Sequence, residues 1–359
     1  MIKRSVGLTG VMFILGAIAC ASAGVSSRSG TTTAPAQDQD QDMVTGSQVR
    51  SIMSALADDS MEGRMTASQG SAKAAAFIAG QMRSIGLVPQ GDSGYFQRVP
   101  IAITRRANGQ ERLTLAASFA ALDTFPAEHR KLGVNVAGMI RGSDPSLSRE
   151  VVLVDAHYDH LGIAKAVDGD SIYNGADDDA SGTTAVLEIA RSIAAGPPPR
   201  RSILFVATTG EEVGLLGTRW FIQHPPVALT SIVSNLEIEM IGRPDSLSGG
   251  VGRAWLTGYD RSTMGAMFTA AALPIVADAR PDQHFFERSD NIAYAQMGIP
   301  AHTLSSFNLH TDYHKPSDEL SRVDFDHMTR VIRAGVKAVR ILADGPVPHW
   351  NPGGQPAPR

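Results

Sequence analysis

Three short stretches rich in apolar residues stand out in the middle of the chain. They cover residues 151–155, 202–207 and 232–240. The first is an almost continuous apolar run, which is typical of a strand that is buried on both of its faces, and the other two are predicted to be buried strands as well. The pattern therefore predicts three central strands of a sheet that is covered on both sides.

Stretches with helical periodicity surround these runs. Apolar positions recur at helical spacing in residues 51–56, 72–85 and 181–194, and again in a closing helix with the stripe Phe325, Met328, Ile332, Val336 and Val339. The alternation of strands and helices favours an α/β fold, a three-layer α/β/α sandwich around a mixed, largely parallel sheet. Ligand sites in such folds lie beyond the carboxyl ends of the strands, so the residues after each run are the candidates for a functional site.

The N-terminus has the features of an export signal. Lys3 and Arg4 precede an apolar run over residues 6–19 that is short for a membrane span, and Cys20, the single cysteine, follows at once. Residues 1–20 are therefore predicted to be a signal peptide. A lipid anchor at Cys20 is favoured, with ordinary signal cleavage after residue 23 as the alternative. Either way, we expect an exported protein, in the periplasm or cell envelope or secreted.

Composition divides the rest of the chain. Residues 21–45 contain mostly Ser, Thr, Gly, Gln and Asp, which predicts a disordered tether. Residues 346–359 are rich in Pro and Gly and are expected to form an irregular tail, which leaves residues 46–345 as one large domain. A formal net charge of −4 provides no basic field for nucleic acid, and a single cysteine allows no internal disulfide.

Histidine and carboxylate side chains follow the predicted strands. His157 and Asp159 come directly after the first run, Glu211 and Glu212 follow the second, and Glu239 lies at the end of the third. Each feature alone has an ordinary explanation, such as a structural histidine or a pair of surface glutamates. A glutamate inside an apolar strand, however, is costly to bury unless something compensates its charge.

Two loops add further candidates. Asp177, Asp178 and Asp179 lie between a glycine turn and a predicted helix, where acidic residues are also common for helix stability alone. His310 and His314 lie in a loop before the closing helix. Imidazole and carboxylate ligands without cysteine suit catalytic zinc better than structural zinc.

The stretches that carry these residues resemble the bacterial double-zinc aminopeptidases, whose clan includes glutamate carboxypeptidases and glutaminyl cyclases. Six of them occur in family order: AHYDHLG, NGADDDASG, TGEEVGLLG, NLEIEMIGR, RSDNIAYAQMGIPA and DYHKPSDE. The resemblance implies a metallopeptidase catalytic domain of zinc-peptidase, phosphorylase/hydrolase-like fold over residues 46–345. It also implies two Zn²⁺ per chain and peptide substrates.

Carried over residue by residue, the resemblance implies two metal sites. Asp177 would bridge the two ions, His157 and Glu239 would complete one site, and Glu212 and His314 the other. Glu239 stands where many members of the family carry aspartate.

The remaining roles follow from the same resemblance. Glu211 is the implied general base, Asp159 would orient His157, and Asp178 would be a structural partner of the bridging residue. His310 competes with His314, and the family pattern YH-x-P-x-D favours His314.

Several alternatives stay open. A glutaminyl cyclase-type transferase would bind one zinc, and a carboxypeptidase or other amidohydrolase would usually carry an added domain, for which residues 101–134 are too few. A non-catalytic surface binding module predicts broken ligands, yet every expected ligand type is present. Residues 91–94, GDSG, predict a turn and not a serine protease. We expect a monomer that contacts the membrane only through Cys20.

Overall fold

A computed structural model describes residues 43–358 of the chain. The strands are β1 (Val88–Pro89), β2 (Phe96–Arg105), β3 (Glu111–Leu115), β4 (Arg130–Ile140), β5 (Val151–His157), β6 (Gly162–Val167), β7 (Asp170–Tyr173), β8 (Ser202–Thr208), β9 (Ile232–Ile238), β10 (Ala254–Leu256), β11 (Ile275–Ala277) and β12 (Ala301–Ser305). The α-helices are α1 (Gly46–Leu56), α2 (Gln69–Ile85), α3 (Phe119–Leu122), α4 (Gly182–Ala195), α5 (Leu216–Gln223), α6 (Met264–Ala270), α7 (Asn291–Gln296) and α8 (Phe325–Asp344). None of these helices is both long enough and apolar enough to cross a membrane.

Ten strands form one mixed sheet, in the order β11-β10-β12-β9-β5-β8-β4-β2-β3, with β1 paired to β4. The four central strands β12, β9, β5 and β8 are parallel to one another. Antiparallel strands extend the sheet on both sides of this centre. The predicted α/β fold with a mixed sheet is confirmed, and the parallel pairing is concentrated where the apolar runs predicted it.

The two faces of β5 show why its first four residues are apolar. Val152 and Val154 belong to a core with helices α1, α2, α4 and α8, whereas Val151 and Leu153 belong to a second core with α5 and α7. Because successive side chains of a strand point to opposite faces, a strand in a sheet with helices on both sides packs against apolar side chains on each face, and the polar residues of β5 lie at its carboxyl end. The two cores lie between the sheet, which is the middle layer of the sandwich, and the helices on its two faces.

Three of the four longest helices begin directly after a residue whose side chain caps them. Thr45 precedes α1, Ser68 precedes α2 and Asp324 precedes α8, and each side chain accepts a hydrogen bond from a main-chain N–H in the first turn. A cap of this kind contributes about 1 kcal/mol to helix stability. The helix starts are therefore encoded locally, before any packing.

The predicted signal peptide, the lipid anchor at Cys20 and most of the tether lie outside the described residues. The last two residues of the predicted tether belong to the domain: Val44 is buried and Thr45 caps α1. Arg333 holds this segment by donating hydrogen bonds of 3.2 and 2.9 Å to the carbonyl of Val44. Residues 346–358 contain no helix or strand beyond one bridge pair, and the Trp350 indole donates to the Gly298 carbonyl at 2.9 Å.

Candidate metal centre

Three parallel strands end side by side at one edge of the sheet. β5 ends at His157, which pairs with Thr208 at the end of β8, and Asp155 of β5 pairs with Glu237 of β9. The loops that follow these strands therefore start close together. This is how residues from distant parts of the sequence reach a common site, at the location expected for an α/β fold.

A first ligand group consists of His157, Asp178 and Glu239, each offering one atom within 4.8 Å of the others. His157 Nε2 lies 3.3 Å from Asp178 Oδ1. The imidazole is fully buried, and Nε2 has no hydrogen-bond partner among residues 43–358. The other ring nitrogen, Nδ1, faces the main-chain oxygen of Asp159 at 3.1 Å, which leaves Nε2 aimed at the group.

A second ligand group consists of His160, Asp178, Glu212 and His314. His314 Nε2 lies 3.1 Å from Asp178 Oδ2 and 3.2 Å from Glu212 Oε2. His160 Nδ1 lies 2.8 Å from Glu212 Oε1. Asp178 is common to both groups, with Oδ1 facing the first and Oδ2 facing the second.

The structure contradicts the predicted position of Asp177. Its Oδ1 accepts a 2.6 Å hydrogen bond from the Gly242 N–H, and its Oδ2 faces His310 Nε2 at 2.9 Å, so neither oxygen is in a ligand group. On the other side of Asp178, the Asp179 carboxylate accepts hydrogen bonds from main-chain amides. The outer aspartates of the run thus hold the loop, and only the middle one faces both groups. His310, the competitor of His314, lies with Asp177 outside the groups.

Asp159 does not orient His157 through its carboxylate, whose nearest oxygen is 3.9 Å from the ring. That carboxylate instead accepts the main-chain N–H groups of Gly210 at 2.7 Å and Glu211 at 3.2 Å, and the hydroxyl of Thr66 at 2.7 Å. Only the main-chain carbonyl of Asp159 contacts His157. Asp159 is therefore placed to position the loop that carries Glu211.

Burial and charge at this site favour a bound cation. Burial raises the pKa of Glu239 to about 7, with His157 opposing the shift and Asp178 adding to it. For His314, burial acts to lower the pKa, but the Asp178 and Glu212 carboxylates outweigh it and raise the pKa to about 10. Both shifts show carboxylates that are crowded together in a low-dielectric pocket. Positive charge placed among them removes the repulsion.

The residues present fit two divalent metal ions. Buried ligand atoms of His157, His160 and Glu212 have no hydrogen-bond partner in the described part of the chain, which is costly unless something else binds them. All candidate ligands are imidazole nitrogens or carboxylate oxygens, the set preferred by catalytic zinc. Seven ligand positions in two groups, joined by one carboxylate, suit a pair of ions better than a single one.

Arg64 fixes two of the loops that supply ligands. Its buried guanidinium donates hydrogen bonds of 2.6 to 2.9 Å to the carbonyls of Tyr158, Asn174, Gly175 and Leu56. Burial lowers its pKa to about 10, so the group stays charged at neutral pH. One side chain thus ties the loop after β5 to the loop before α4.

We expect Arg64→Lys to lower the free energy of unfolding by at least about 2 kcal/mol, because an unsatisfied buried carbonyl costs roughly 1–3 kcal/mol and lysine cannot reach all four. Thermal and urea unfolding of the variant and the wild type measure the difference. Arg83→Lys, at an exposed position of α2, is the matched control and should stay within about 0.5 kcal/mol of the wild type. Equal stability of the Arg64 and Arg83 variants would remove the proposed role of the guanidinium.

A cavity opens beside the ligand groups. Asp178, Glu211 and Glu239 line its polar side, and its other walls include Trp255, Phe285, Phe307, Tyr313 and the exposed Arg288. Two aromatic residues near Phe285 in sequence do not line this cavity, since Tyr294 packs on Phe221 in the core and Phe286 packs near His302.

Sequence reasoning missed two residues of this site. His160 was overlooked although it meets the same criterion as His157, a histidine just beyond a strand end. Arg64 left no comparable signal, because a single arginine in a polar segment predicts a solvated side chain. Its role depends on contacts with residues that are 94 to 111 positions away in sequence.

Comparison with known proteins identifies the family of the chain. The model of "Peptidase family M28" matches residues 135–339. A probable zinc metalloprotease of Leptosphaeria maculans is 34% identical over 108 residues, which are 30% of this chain and 24% of that protein. This chain spans about a quarter or less of the length of several such curated relatives.

Solved structures share the fold. A zinc aminopeptidase from Bacillus subtilis superimposes with a TM-score of 0.63 at 14% identity, covering 84% of this chain and 96% of that one. A glutaminyl cyclase from Porphyromonas gingivalis gives a TM-score of 0.58 at 15% identity, covering 83% of this chain and 98% of that one. At these identities the likeness establishes the architecture and leaves the reaction to be argued from the site.

Proposed function

Because this chain belongs to peptidase family M28, whose model matches more than half of it, we propose that it is a zinc-dependent aminopeptidase that removes N-terminal residues from peptides. One observation carries the proposal. The Asp178 carboxylate turns one oxygen toward each of two ligand groups, and a further glutamate, Glu211, lines the same cavity without belonging to either group.

Some of these residues would be metal ligands, and Glu211 would be the general base. His157, Asp178 and Glu239 would hold one ion, and Asp178, Glu212 and His314 the other. Two zinc ions, when bound, would polarise the scissile carbonyl and lower the pKa of the attacking water. The Glu211 carboxylate would accept a proton from the water as it attacks the carbonyl carbon, and would pass that proton to the amine nitrogen as the C–N bond breaks.

The charge of the cavity supports an aminopeptidase. A peptide N-terminus is a cation at neutral pH, and Glu211, a carboxylate that lines the cavity outside both ligand groups, attracts it. The aromatic wall with Trp255, Phe285 and Phe307 suits an apolar first side chain. A carboxypeptidase would need a cationic side chain to bind the substrate carboxylate. Arg288 is the cationic residue that lines this cavity, and because it is exposed to solvent, it would bind that carboxylate only weakly.

The test is a panel of aminoacyl-chromophore substrates, assayed with and without a chelator, together with metal analysis of the purified full-length chain. We expect two bound metal ions per chain, hydrolysis of leucyl and phenylalanyl substrates, and no hydrolysis once their amino groups are acetylated. Removal of the metal should abolish turnover, and zinc should restore it.

Three results would redirect the proposal. Cleavage of N-blocked peptides with a free C-terminus indicates a carboxypeptidase. Cyclisation of N-terminal glutamine by a chain with one zinc indicates a glutaminyl cyclase. Undiminished turnover after complete metal removal rules out the whole metal-dependent mechanism.

A further inference from the structure

We propose that His160 binds metal directly in the second ligand group, so that this ion has four protein ligands and the ion of the first group has three. The inference rests on the proposed function and specifies how its two ions differ. Nothing in the family resemblance assigned a role to His160. Its burial, its unpaired nitrogens and its distances to the neighbouring ligands point to a metal ligand.

The imidazole of His160 is buried with both of its nitrogens unpaired in the described part of the chain. Its Nδ1 lies 2.8 Å from Glu212 Oε1, yet the two atoms lack the alignment of a hydrogen bond, and this Oε1 is unpaired as well. Two buried polar atoms at such a distance are unfavourable unless both contact a third partner. A cation between them satisfies both atoms at once.

The distances within the second group suit a single ion. His160 Nδ1 is 3.8 Å from Asp178 Oδ2, and His314 Nε2 is 3.1 Å from Asp178 Oδ2 and 3.2 Å from Glu212 Oε2. Four ligands in a tetrahedron around zinc, each at about 2.0–2.2 Å from it, lie roughly 3.3–3.6 Å from one another. The separations between nitrogen and oxygen atoms in the group run from 2.8 to 3.8 Å, on both sides of this range, with one Glu212 oxygen facing each histidine.

The surrounding loops hold the His160 ring in place. Gly175 packs directly on the ring, since a Cβ at that position would lie 2.5 Å from the imidazole Cγ. Arg64 links the two segments, because its guanidinium binds the Gly175 carbonyl at 2.9 Å and its own carbonyl accepts the His160 N–H at 3.4 Å. A ligand whose orientation is set by packing loses little entropy when metal binds.

The fourth ligand makes the two ions unequal. Zinc with four protein ligands is typical of closed, structural coordination, whereas three protein ligands leave a position for water or substrate. The ion of the second group should therefore be bound more tightly. The ion held by His157, Asp178 and Glu239 is the one with room for the substrate carbonyl.

The first experiment measures cobalt binding to the metal-free full-length chain, with competition by a chelator and metal analysis of the protein. The wild type should bind two ions. In His160→Ala, the dissociation constant of the tighter ion should rise at least about 100-fold, since even loss of a residue that only supports a ligand costs about 10–100-fold. His314→Ala should behave similarly, and His349→Ala, an exposed histidine, should match the wild type.

The second experiment tests direct contact. In His160→Cys, a thiolate replaces the imidazole, and cobalt bound to it produces a thiolate-to-metal charge-transfer band in the near ultraviolet. The wild type shares Cys20 and serves as the blank for that cysteine. The band should appear in His160→Cys with the first equivalent of cobalt and be absent from the wild type.

The outcomes separate the two proposals. A wild type that binds no metal overturns the proposed function itself. A wild type with two ions, together with His160→Ala at undiminished affinity, overturns only the assignment of His160. Weakened binding in His160→Ala without a charge-transfer band in His160→Cys also overturns it, because His160 then acts on Glu212 and not on the ion.

Discussion

Replacing Glu211 by glutamine is expected to lower kcat by about 10²- to 10⁴-fold, the typical contribution of a general base, while both metal ions stay bound. Glutamine has the shape of glutamate but cannot take a proton from water. Glu211 lines the cavity beside Asp178 and Glu239 and belongs to neither ligand group. Loss of turnover without loss of metal is therefore the specific signature of this variant.

The local structure suits Glu211 to this task. Its main-chain N–H is bound by the Asp159 carboxylate at 3.2 Å, which fixes the loop at the end of β8. Burial raises the pKa of the Glu211 side chain, His157 opposes this shift, and Glu239 adds to it. A carboxylate with a raised pKa binds a transferred proton more strongly than one in water, as a base in the reaction must.

Two matched variants serve as controls for Glu211→Gln. Glu212→Gln changes the adjacent residue in the same way, but Glu212 belongs to the second ligand group, so this variant should lose metal together with turnover. Glu128→Gln, at an exposed position, should retain both. Kinetics on a leucyl-chromophore substrate and metal analysis of each protein provide the readout. A Glu211→Gln enzyme with more than a tenth of wild-type kcat would show that another group takes the proton.

The central part of the fold could be predicted from periodicity because each element carries its own signal. The runs 151–155, 202–207 and 232–240 became β5, β8 and β9, with shifts of no more than two residues at their ends. The strands β2, β3 and β4 were not predicted. They flank the parallel centre and expose part of their surface, so their sequences lack the continuous apolar runs that identify buried strands.

The candidate site was predictable at the level of segments and less so at the level of single residues. Residues 177–179 are chemically identical, so their order in sequence cannot reveal which side chain faces the ligand groups. That choice depends on main-chain N–H groups of distant segments, such as Gly242 for Asp177 and Met240 for Asp179. The resemblance pointed to this loop, and the tertiary contacts place Asp178 between the two ligand groups.

This distinction leads to the second large expected effect: Asp178→Asn should lose both metal ions, whereas Asp177→Asn should keep them. An amide lacks the second anionic oxygen, so it cannot replace a carboxylate that has one oxygen in each ligand group. Asp177 contacts the Gly242 N–H and His310 instead of a ligand group. Its substitution should lower stability by roughly 1 kcal/mol through a weakened hydrogen bond, without affecting metal content.

Metal analysis and thermal unfolding with and without added zinc distinguish the two aspartates. Binding to the folded state stabilises it by about 2.7 kcal/mol when zinc is present at 100 times its dissociation constant. The melting temperature of the wild type and of Asp177→Asn should therefore rise on addition of zinc, and that of Asp178→Asn should not. The opposite pattern, with Asp177→Asn insensitive to zinc, would make Asp177 the shared ligand. The contacts of its two oxygens with Gly242 and His310 would then have to break when metal binds.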